Sequence, residues 1–325
     1  MKKFSKICFC GSGAWGQAIA ITLARLGFST TMIVNDQYRL KVLNQNKSTC
    51  FPKVNFPDLI SASSNKSILE SSDLIFISTE SNRVLATVKE IVTINPQSKI
   101  IITSKGFANT KGETLPEVFE KNFPSMTFGI LTGPTFANEV AENLPSAALF
   151  ASKDDKFADD ITNIFYKSCL RLYKSNDPIG AALAGAIKNI IAIGAGISDG
   201  LKLGENSKAA IITRGVAELS QIINASGGKK ETAFGLAGIG DMTLSCSTPQ
   251  SRNMKFGISL VNSNKDNNHE LVEGLSALQS AKNLSKILLL DTPIINSIND
   301  IVKNKKDVKK IIIELLNRPI RTEFY

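Results

Sequence analysis

The 325-residue chain predicts an α/β first half, with a doubly wound and mostly parallel sheet, followed by an all-helical second half. Three observations carry that reading. Short apolar runs rich in β-formers alternate with helical or irregular segments as far as Lys174. A glycine turn joins the first such run directly to the first helical pattern. Beyond Asp177 only helical periodicity recurs, so the boundary falls between residues 176 and 177.

Lys6–Cys10 is the first buried strand, with Cys8 and Cys10 facing the same side as small hydrophobes. It runs into Gly11-Ser12-Gly13-Ala14-Trp15-Gly16, and a helical pattern follows from Gln17 to Leu26. G-x-G-x-x-G between a strand and a helix is the Rossmann-type dinucleotide turn. Gly11 permits the tight turn, Gly13 lets backbone approach a pyrophosphate, and Gly16 lets the helix pack on the strand. Ala14 and Trp15 open the helix whose N-terminus attracts the anion. Residues 1–176 thus form a dinucleotide-binding domain and residues 177–325 a helical substrate domain.

Thr30–Val34 is the second strand, ending in Asn35-Asp36. Asp36 stands where an acidic residue binds the adenine ribose of NAD, or else it caps the next helix. If it faces the ribose it repels a 2′-phosphate, so NADH should serve at least as well as NADPH. Arg39 is the nearest arginine. Further core strands are expected at Asp73–Ser78, Lys99–Thr103, Thr127–Leu131, Ala147–Ala151 and Arg171–Lys174. Ligands bind beyond the carboxyl ends of such strands, which singles out Lys105 and the loop Thr132–Ala137 with Gly133 and Thr135. Lys105 can pair with a phosphate or lie in solvent.

Asp177 and Pro178 open a helix that is apolar or small on every face and should be buried all round. Lys188 and Asn189 stand in its middle. A buried ammonium is costly unless paired or neutral, and burial lowers its pKa toward a range useful for proton exchange. The alternative is a lysine whose stem snorkels to water. Further helices are expected at Ser207–Ala225, Ser251–Val261, Leu275–Ile287, Pro293–Val302 and Val308–Leu316. Between them lies the glycine-rich Gly235–Gly240, ending in Asp241. Ser251 can cap a helix whose first turn holds Arg252 and Asn253, which is a good phosphate site.

Composition excludes several classes. Five cysteines without regular spacing argue against a disulfide framework and for a reducing compartment, and none has zinc-site spacing with a histidine, so no metal is expected. The net charge of +9 suits an anionic cofactor and substrate; no aromatic residues interleave the basic run Lys303–Lys310, so nucleic acid is not expected. Lys188 and Asn189 interrupt the one long apolar segment, so no stable membrane insertion is expected and the location is read as cytoplasmic. The single histidine, His269, lies in a polar run, which leaves lysine or carboxylic acid as the proton partner of any hydride transfer.

Several segments together resemble the bacterial NAD(P)-dependent glycerol-3-phosphate dehydrogenases: GSGAWG (11–16), SKG (104–106), LTGPTFANEVA (131–141), AGAIKNIIAIGAGISDGLKLGENSKAAIITRG (184–215), GLAGIGDMTLSC (235–246), QSRN (250–253) and VEG (272–274). They stand in the family's order and span nearly the whole chain. The resemblance implies an architecture like that of 6-phosphogluconate dehydrogenase, with NAD(H) or NADP(H) as cofactor. It also implies reduction of dihydroxyacetone phosphate to sn-glycerol 3-phosphate for phospholipid synthesis, and a homodimer. Lys188 becomes the proton donor and acceptor, with Asp241 holding its charge and orientation. Trp15, Asn35, Lys105, Ala137, Arg252, Leu271 and Glu273 match cofactor-contact positions. Lys105, Gly133, Thr135, Lys188, Asp241, Ser251, Arg252 and Asn253 match substrate-contact positions. Asn35 stands where many members carry a basic or imidazole side chain, and Leu278 where many place a threonine. A lysine-using dehydrogenase of 3-hydroxy acids and a non-enzymatic dinucleotide sensor are the competing readings. QSRN after GIGD speaks against the first, and the joint presence of Lys188, Asp241 and Arg252 against the second.

Overall fold

The structure, a computed structural model, describes residues 4–261, 272–319 and 322. Its first half is one eight-stranded sheet in the order β3-β2-β1-β4-β5-β6-β7-β8. In chain order its elements are β1 (Ile7–Cys10), α1 (Ala14–Arg25), β2 (Thr30–Ile33), α2 (Gln37–Leu43), β3 (Ile60–Ser63), β4 (Leu74–Ile77), α3 (Ser81–Ile94), β5 (Lys99–Ile102), α4 (Leu115–Asn122), β6 (Phe128–Thr132), α5 (Ala137–Ala141), β7 (Ser146–Ala151), α6 (Asp155–Ile164) and β8 (Leu170–Ser175). Side chains alternate across β1 as a period of two requires. Ile7 and Phe9 join Leu74, Phe76 and Ile101 on one face, while Cys8 and Cys10 join Ile75, Ile77, Ile100 and Ile102 on the other. Both faces are covered, which is why these strands are continuously apolar.

Three details go beyond the sequence reading. β3 was not expected: its ISAS sequence has no apolar run, and as an edge strand it needs none beyond Ile60 and Ala62. All neighbouring strands are parallel except β6 and β7, which pair antiparallel through Leu131 and Phe150. The expected strand at 127–131 lies one residue later, so Thr132 closes β6 instead of beginning the loop.

The second half is helical among the described residues: α7 (Pro178–Gly200), α8 (Glu205–Ala225), α9 (Asp241–Ser247), α10 (Arg252–Val261), α11 (Glu273–Ile287), α12 (Pro293–Val302) and α13 (Val308–Leu316). α7 is its axis. The Asp177 carboxylate caps it by accepting from Gly180 N at 2.9 Å, and its second oxygen accepts from Lys229 N at 2.9 Å and Thr232 Oγ at 2.5 Å. One buried acid thus fixes the start of α7 to the turn after α8. Nearly every side chain from Ala181 to Ser198 is buried, and each buried isoleucine or leucine contributes about 1.5–3 kcal/mol. α10 lies against α7 at backbone contact. A Cβ on Gly196 would stand 2.1 Å from Met254 O, and one on Gly257 2.2 Å from Ile193 O. That close approach brings Arg252 and Asn253, at the start of α10, over the middle of α7.

Candidate active site

The glycine turn sits as its spacing requires. Gly11 has φ +113°, and a Cβ there would meet the Ser78 carbonyl carbon at 2.7 Å, so β1 and β4 run close together at their carboxyl ends. A Cβ on Gly13 would meet nothing within 4 Å. No side chain caps α1 and its first turn carries no acid, so no described side chain competes for its N–H groups. A pyrophosphate fits that cradle. A cavity of about 420 Å³ extends from the turn and is lined by Asn35, Asp36, Arg39 and Arg83 among others. Asp36 takes the capping role left open by the sequence: its Oδ1 accepts from Arg39 N at 2.6 Å. Ala14 is exposed, and Trp15 is half-buried with its indole N–H without a partner. Gly16 needs its missing Cβ to clear Gly11 O.

The second centre is built around Lys188. Among the polar residues of α7 it is 8% exposed, and Asp241, at the start of α9, is 1% exposed. Lys188 Nζ donates to Asp241 Oδ1 at 3.0 Å and to Ser245 Oγ at 2.7 Å. Lys105 Nζ, from the loop after β5, donates to Asp241 Oδ2 at 2.6 Å and to Gly133 O at 3.3 Å. Lys105 therefore neither lies in solvent nor stands alone; one carboxylate holds both ammonium groups. Lys188 is paired within the cluster and is no snorkelling side chain. Burial pulls the Lys188 pKa below its ordinary value, with the Asp241 carboxylate pulling against it. Burial also opposes the Asp241 charge, but Lys105 and Lys188 outweigh it and hold that carboxyl below its usual range. Asp241 reaches this position because Leu236–Gly240 forms a π-helical turn leading into α9. A Cβ on Gly238 within that turn would stand 2.0 Å from Ala233 O.

An ammonium has three donors. Asp241 and Ser245 take two of them, and the third has no partner among the described residues. Ser245 escaped the sequence reading. The signal was available: it lies one helical turn after Asp241, on the same face of α9. Cys246 is buried, with its thiol pushed up to about 12 by that burial, and supplies no thiolate.

A polar chain runs from this centre to the start of α10. Asn189 Nδ2 donates to Glu273 Oε2 at 3.0 Å, and Asn253 Nδ2 donates to Asn189 Oδ1 at 2.9 Å. Asn253 Oδ1 accepts from Gly274 N at 2.9 Å, and one of its two amide hydrogens has no partner among the described residues. Asn253 ties α7, α10 and α11 together and keeps one amide donor for a ligand. Ser251 is the expected cap, with Met254 N donating to its Oγ at 3.4 Å. Arg252 is exposed and lies 3.6 Å from Glu273 Oε1. Gly133, φ +146°, ends β6 beside Lys105; Thr135 Oγ donates to Gly133 O at 3.2 Å, and Ala137 opens α5. Leu271 and His269 lie outside the described residues.

The remaining exclusions take a structural form. All five cysteines are free. Among the described residues the one helix apolar and long enough to cross a membrane is α7, and 94% of its apolar window is buried inside the protein. A cavity of about 600 Å³ lies between α7, α8, α12 and α13, lined mainly by apolar side chains, and none of the expected site residues borders it.

Comparison with known proteins agrees with this geometry. The family models described as the N-terminus and C-terminus of NAD-dependent glycerol-3-phosphate dehydrogenase match residues 6–158 and 177–313. A glycerol-3-phosphate dehydrogenase [NAD(P)+] of Nitrosomonas europaea is 36% identical over 324 residues, 96% of this chain and 97% of that protein. One of Agrobacterium fabrum is 34% identical, covering 98% of this chain and 99% of its own. The crystal structure of glycerol-3-phosphate dehydrogenase from Coxiella burnetii superposes with a TM-score of 0.90 at 32% identity, over 97% of this chain and 99% of that one. D-mandelate dehydrogenase in complex with NADH, at 14% identity and a TM-score of 0.62, shares the fold.

Proposed function

The chain belongs to the NAD-dependent glycerol-3-phosphate dehydrogenase family, and we propose that the Lys188–Asp241–Lys105–Ser245 cluster is the place where its reaction occurs. The protein is an oxidoreductase that interconverts dihydroxyacetone phosphate and sn-glycerol 3-phosphate with NAD(H) or NADP(H). The observation carrying the site assignment is the buried Lys188, held by Asp241 and Ser245 with one donor to spare.

The residues of the glycine turn, with Asn35 and Asp36, would hold the dinucleotide, which supplies the hydride when bound. Reduction of the ketone leaves charge on its oxygen, and that oxygen needs a proton or a nearby cation. Lys188 supplies both. Its free donor binds the carbonyl oxygen, and as charge develops there an Nζ proton passes across, leaving a neutral amine. Burial favours that neutral amine, which lowers the cost of the transfer. Asp241 and Ser245 keep Nζ aimed throughout. In the oxidative direction the neutral amine takes the hydroxyl proton back.

Lys105, which shares Asp241 with Lys188, would stand beside the reacting carbonyl, while Arg252 and the Ser251-capped start of α10 would hold the substrate phosphate. Gly133 and Thr135 border Lys105 and would shape the substrate's other flank. Glu273 would meet the cofactor from α11 through its place beside Arg252. Asn253, anchored on Asn189 and Gly274, would offer its remaining amide hydrogen to the substrate. A cytoplasmic location accords with five free cysteines. A homodimer accords with the exposure of Ile287, Leu289, Ile313 and Leu316 on the helical half, and light scattering tests it.

Lys188→Met tests the assignment. Methionine keeps the volume of the stem and avoids a cavity. Turnover with dihydroxyacetone phosphate, read from nicotinamide absorbance, should fall by at least two to four orders of magnitude, as loss of a general acid costs roughly that much. Dinucleotide binding and thermal stability should survive. Near-normal turnover in the folded variant would move the chemistry away from Lys188.

A further inference from the structure

The Asp36 reading leaves the cofactor's adenosine end without a positive group, yet the fold places one there. Arg39 occupies the third position of α2, and its backbone N–H is the donor that the Asp36 carboxylate accepts. Asp36 is thereby turned toward the helix start. The Arg39 side chain bends the other way, onto the glycine turn. Its Nη1 donates to Ser12 O and to Ser12 Oγ, both at 3.3 Å. These are long hydrogen bonds, and the other guanidinium donors are free to serve a ligand. Arg39 and Arg83 both line the cavity at the carboxyl ends of β1, β2 and β4. Lys66 lines it too but is tied to Glu90 at 2.6 Å, and Glu80 adds a carboxylate. The ribose of a bound dinucleotide would sit beyond the end of β2, beside Asn35 and Asp36. Arg39 stands one helical turn from both.

We propose that Arg39, reaching from the first turn of α2 across Ser12, reads the 2′-phosphate of an NADP-type dinucleotide, so that this chain binds NADPH at least as tightly as NADH. Asn35 carries no charge and cannot do this itself. A guanidinium presents two parallel donors to a phosphate, which a neutral ribose hydroxyl cannot match. Arg83, which lines the same cavity, adds positive potential. The sequence reading has NADH serve at least as well as NADPH because no arginine sits beside Asp36; the Arg39–Ser12 contacts bring one to the glycine turn.

The proposal rests on the dinucleotide reading of the glycine turn, and calorimetric titration separates the two. Wild type, Arg39→Ala and Arg39→Lys are titrated with NADH and with NADPH in the same buffer. Wild type should bind NADPH no more weakly than NADH. Arg39→Ala should weaken NADPH by at least about tenfold and NADH by less than about threefold, with Arg39→Lys between. Equal losses for both dinucleotides, or no loss for NADPH, would overturn the role of Arg39. Failure of the wild type to bind either dinucleotide would instead overturn the reading of the glycine turn.

Discussion

Asp241→Asn is the most informative single change at the Lys188 centre. In the wild type one carboxylate faces two ammonium groups, at 3.0 Å from Lys188 and 2.6 Å from Lys105. At an effective dielectric of about 20, each contact is worth roughly 5–6 kcal/mol of Coulomb attraction before desolvation is counted. Asparagine keeps the shape and removes the charge. Two buried ammonium groups would then face one another across a neutral amide. Breaking a buried pair in this way costs about 3–5 kcal/mol if both stay charged. The cheaper response is for one of them to lose its proton, and Lys188 is the more deeply buried. The sign follows from the causes. Burial already lowers the Lys188 pKa and Asp241 is the largest influence raising it, so removing Asp241 lowers it further. Reduction of the ketone needs protonated Lys188, so its rate falls as pH rises through that pKa. In Asp241→Asn this falling limb should move to lower pH. At neutral pH the reductive kcat should drop by about two to four orders of magnitude, and lowering the pH should recover part of the loss. Dinucleotide affinity, held at the glycine turn, should change little. The assay is the pH dependence of initial rates with dihydroxyacetone phosphate, with calorimetric binding beside it. A variant whose limb stays at the wild-type pH, or whose kcat is normal, would show that Asp241 does not control Lys188.

Three further outcomes are expected. Arg252→Lys keeps a charge but loses the fork, and because Arg252 is half in water the loss should sit near the lower end of about 1.5–3 kcal/mol; it should appear in KM for dihydroxyacetone phosphate, and unaltered KM would remove Arg252 from the phosphate site. Trp15 is the only tryptophan and follows Gly13 in the turn, so its emission should change on saturation with NADPH or NADH; a constant spectrum under conditions where calorimetry shows binding would separate it from the cofactor. Glu218 is buried in α8 and accepts from Ile294 N at 2.6 Å and Ile295 N at 3.0 Å, which holds the start of α12. Burial pushes its carboxyl up to about 8 against those donors. The folded state therefore binds this proton more tightly than the unfolded chain, and its contribution to stability is lost as pH rises from about 4.5 to about 8. Glu218→Gln lacks this titration, so the wild-type-minus-variant difference in unfolding free energy should fall between about pH 4.5 and about pH 8, and a difference that stays constant with pH would contradict it.

The sequence by itself determined much of what has a local cause, though Ser245, one helical turn from Asp241, is a local relation that went unread. Alternation and apolar runs placed β1, β2 and β4–β8 to within a residue or two at each end. The strand–glycine–helix order located the dinucleotide turn, and small or apolar residues on every face marked α7 as the buried axis. Asp177 and Ser251 were legible as caps because a cap is recognised from its next three residues. Lys188 stood out because a charge within a wholly apolar helix demands a partner. Tertiary structure decided which partner. Lys188 and Asp241 are 53 residues apart and Lys105 and Asp241 136 apart, and no periodicity encodes such pairings. It decided that β7 runs antiparallel and that Ile60–Ser63 pairs as an edge strand, because hydrogen bonding to a neighbour can override a weak local pattern. It turned Asn253 inward onto Asn189 and Gly274, through a helix crossing set by Gly196 and Gly257. It also laid Arg39 over Ser12, 27 positions earlier, because only the folded return of β2 beside β1 brings α2 to the glycine turn.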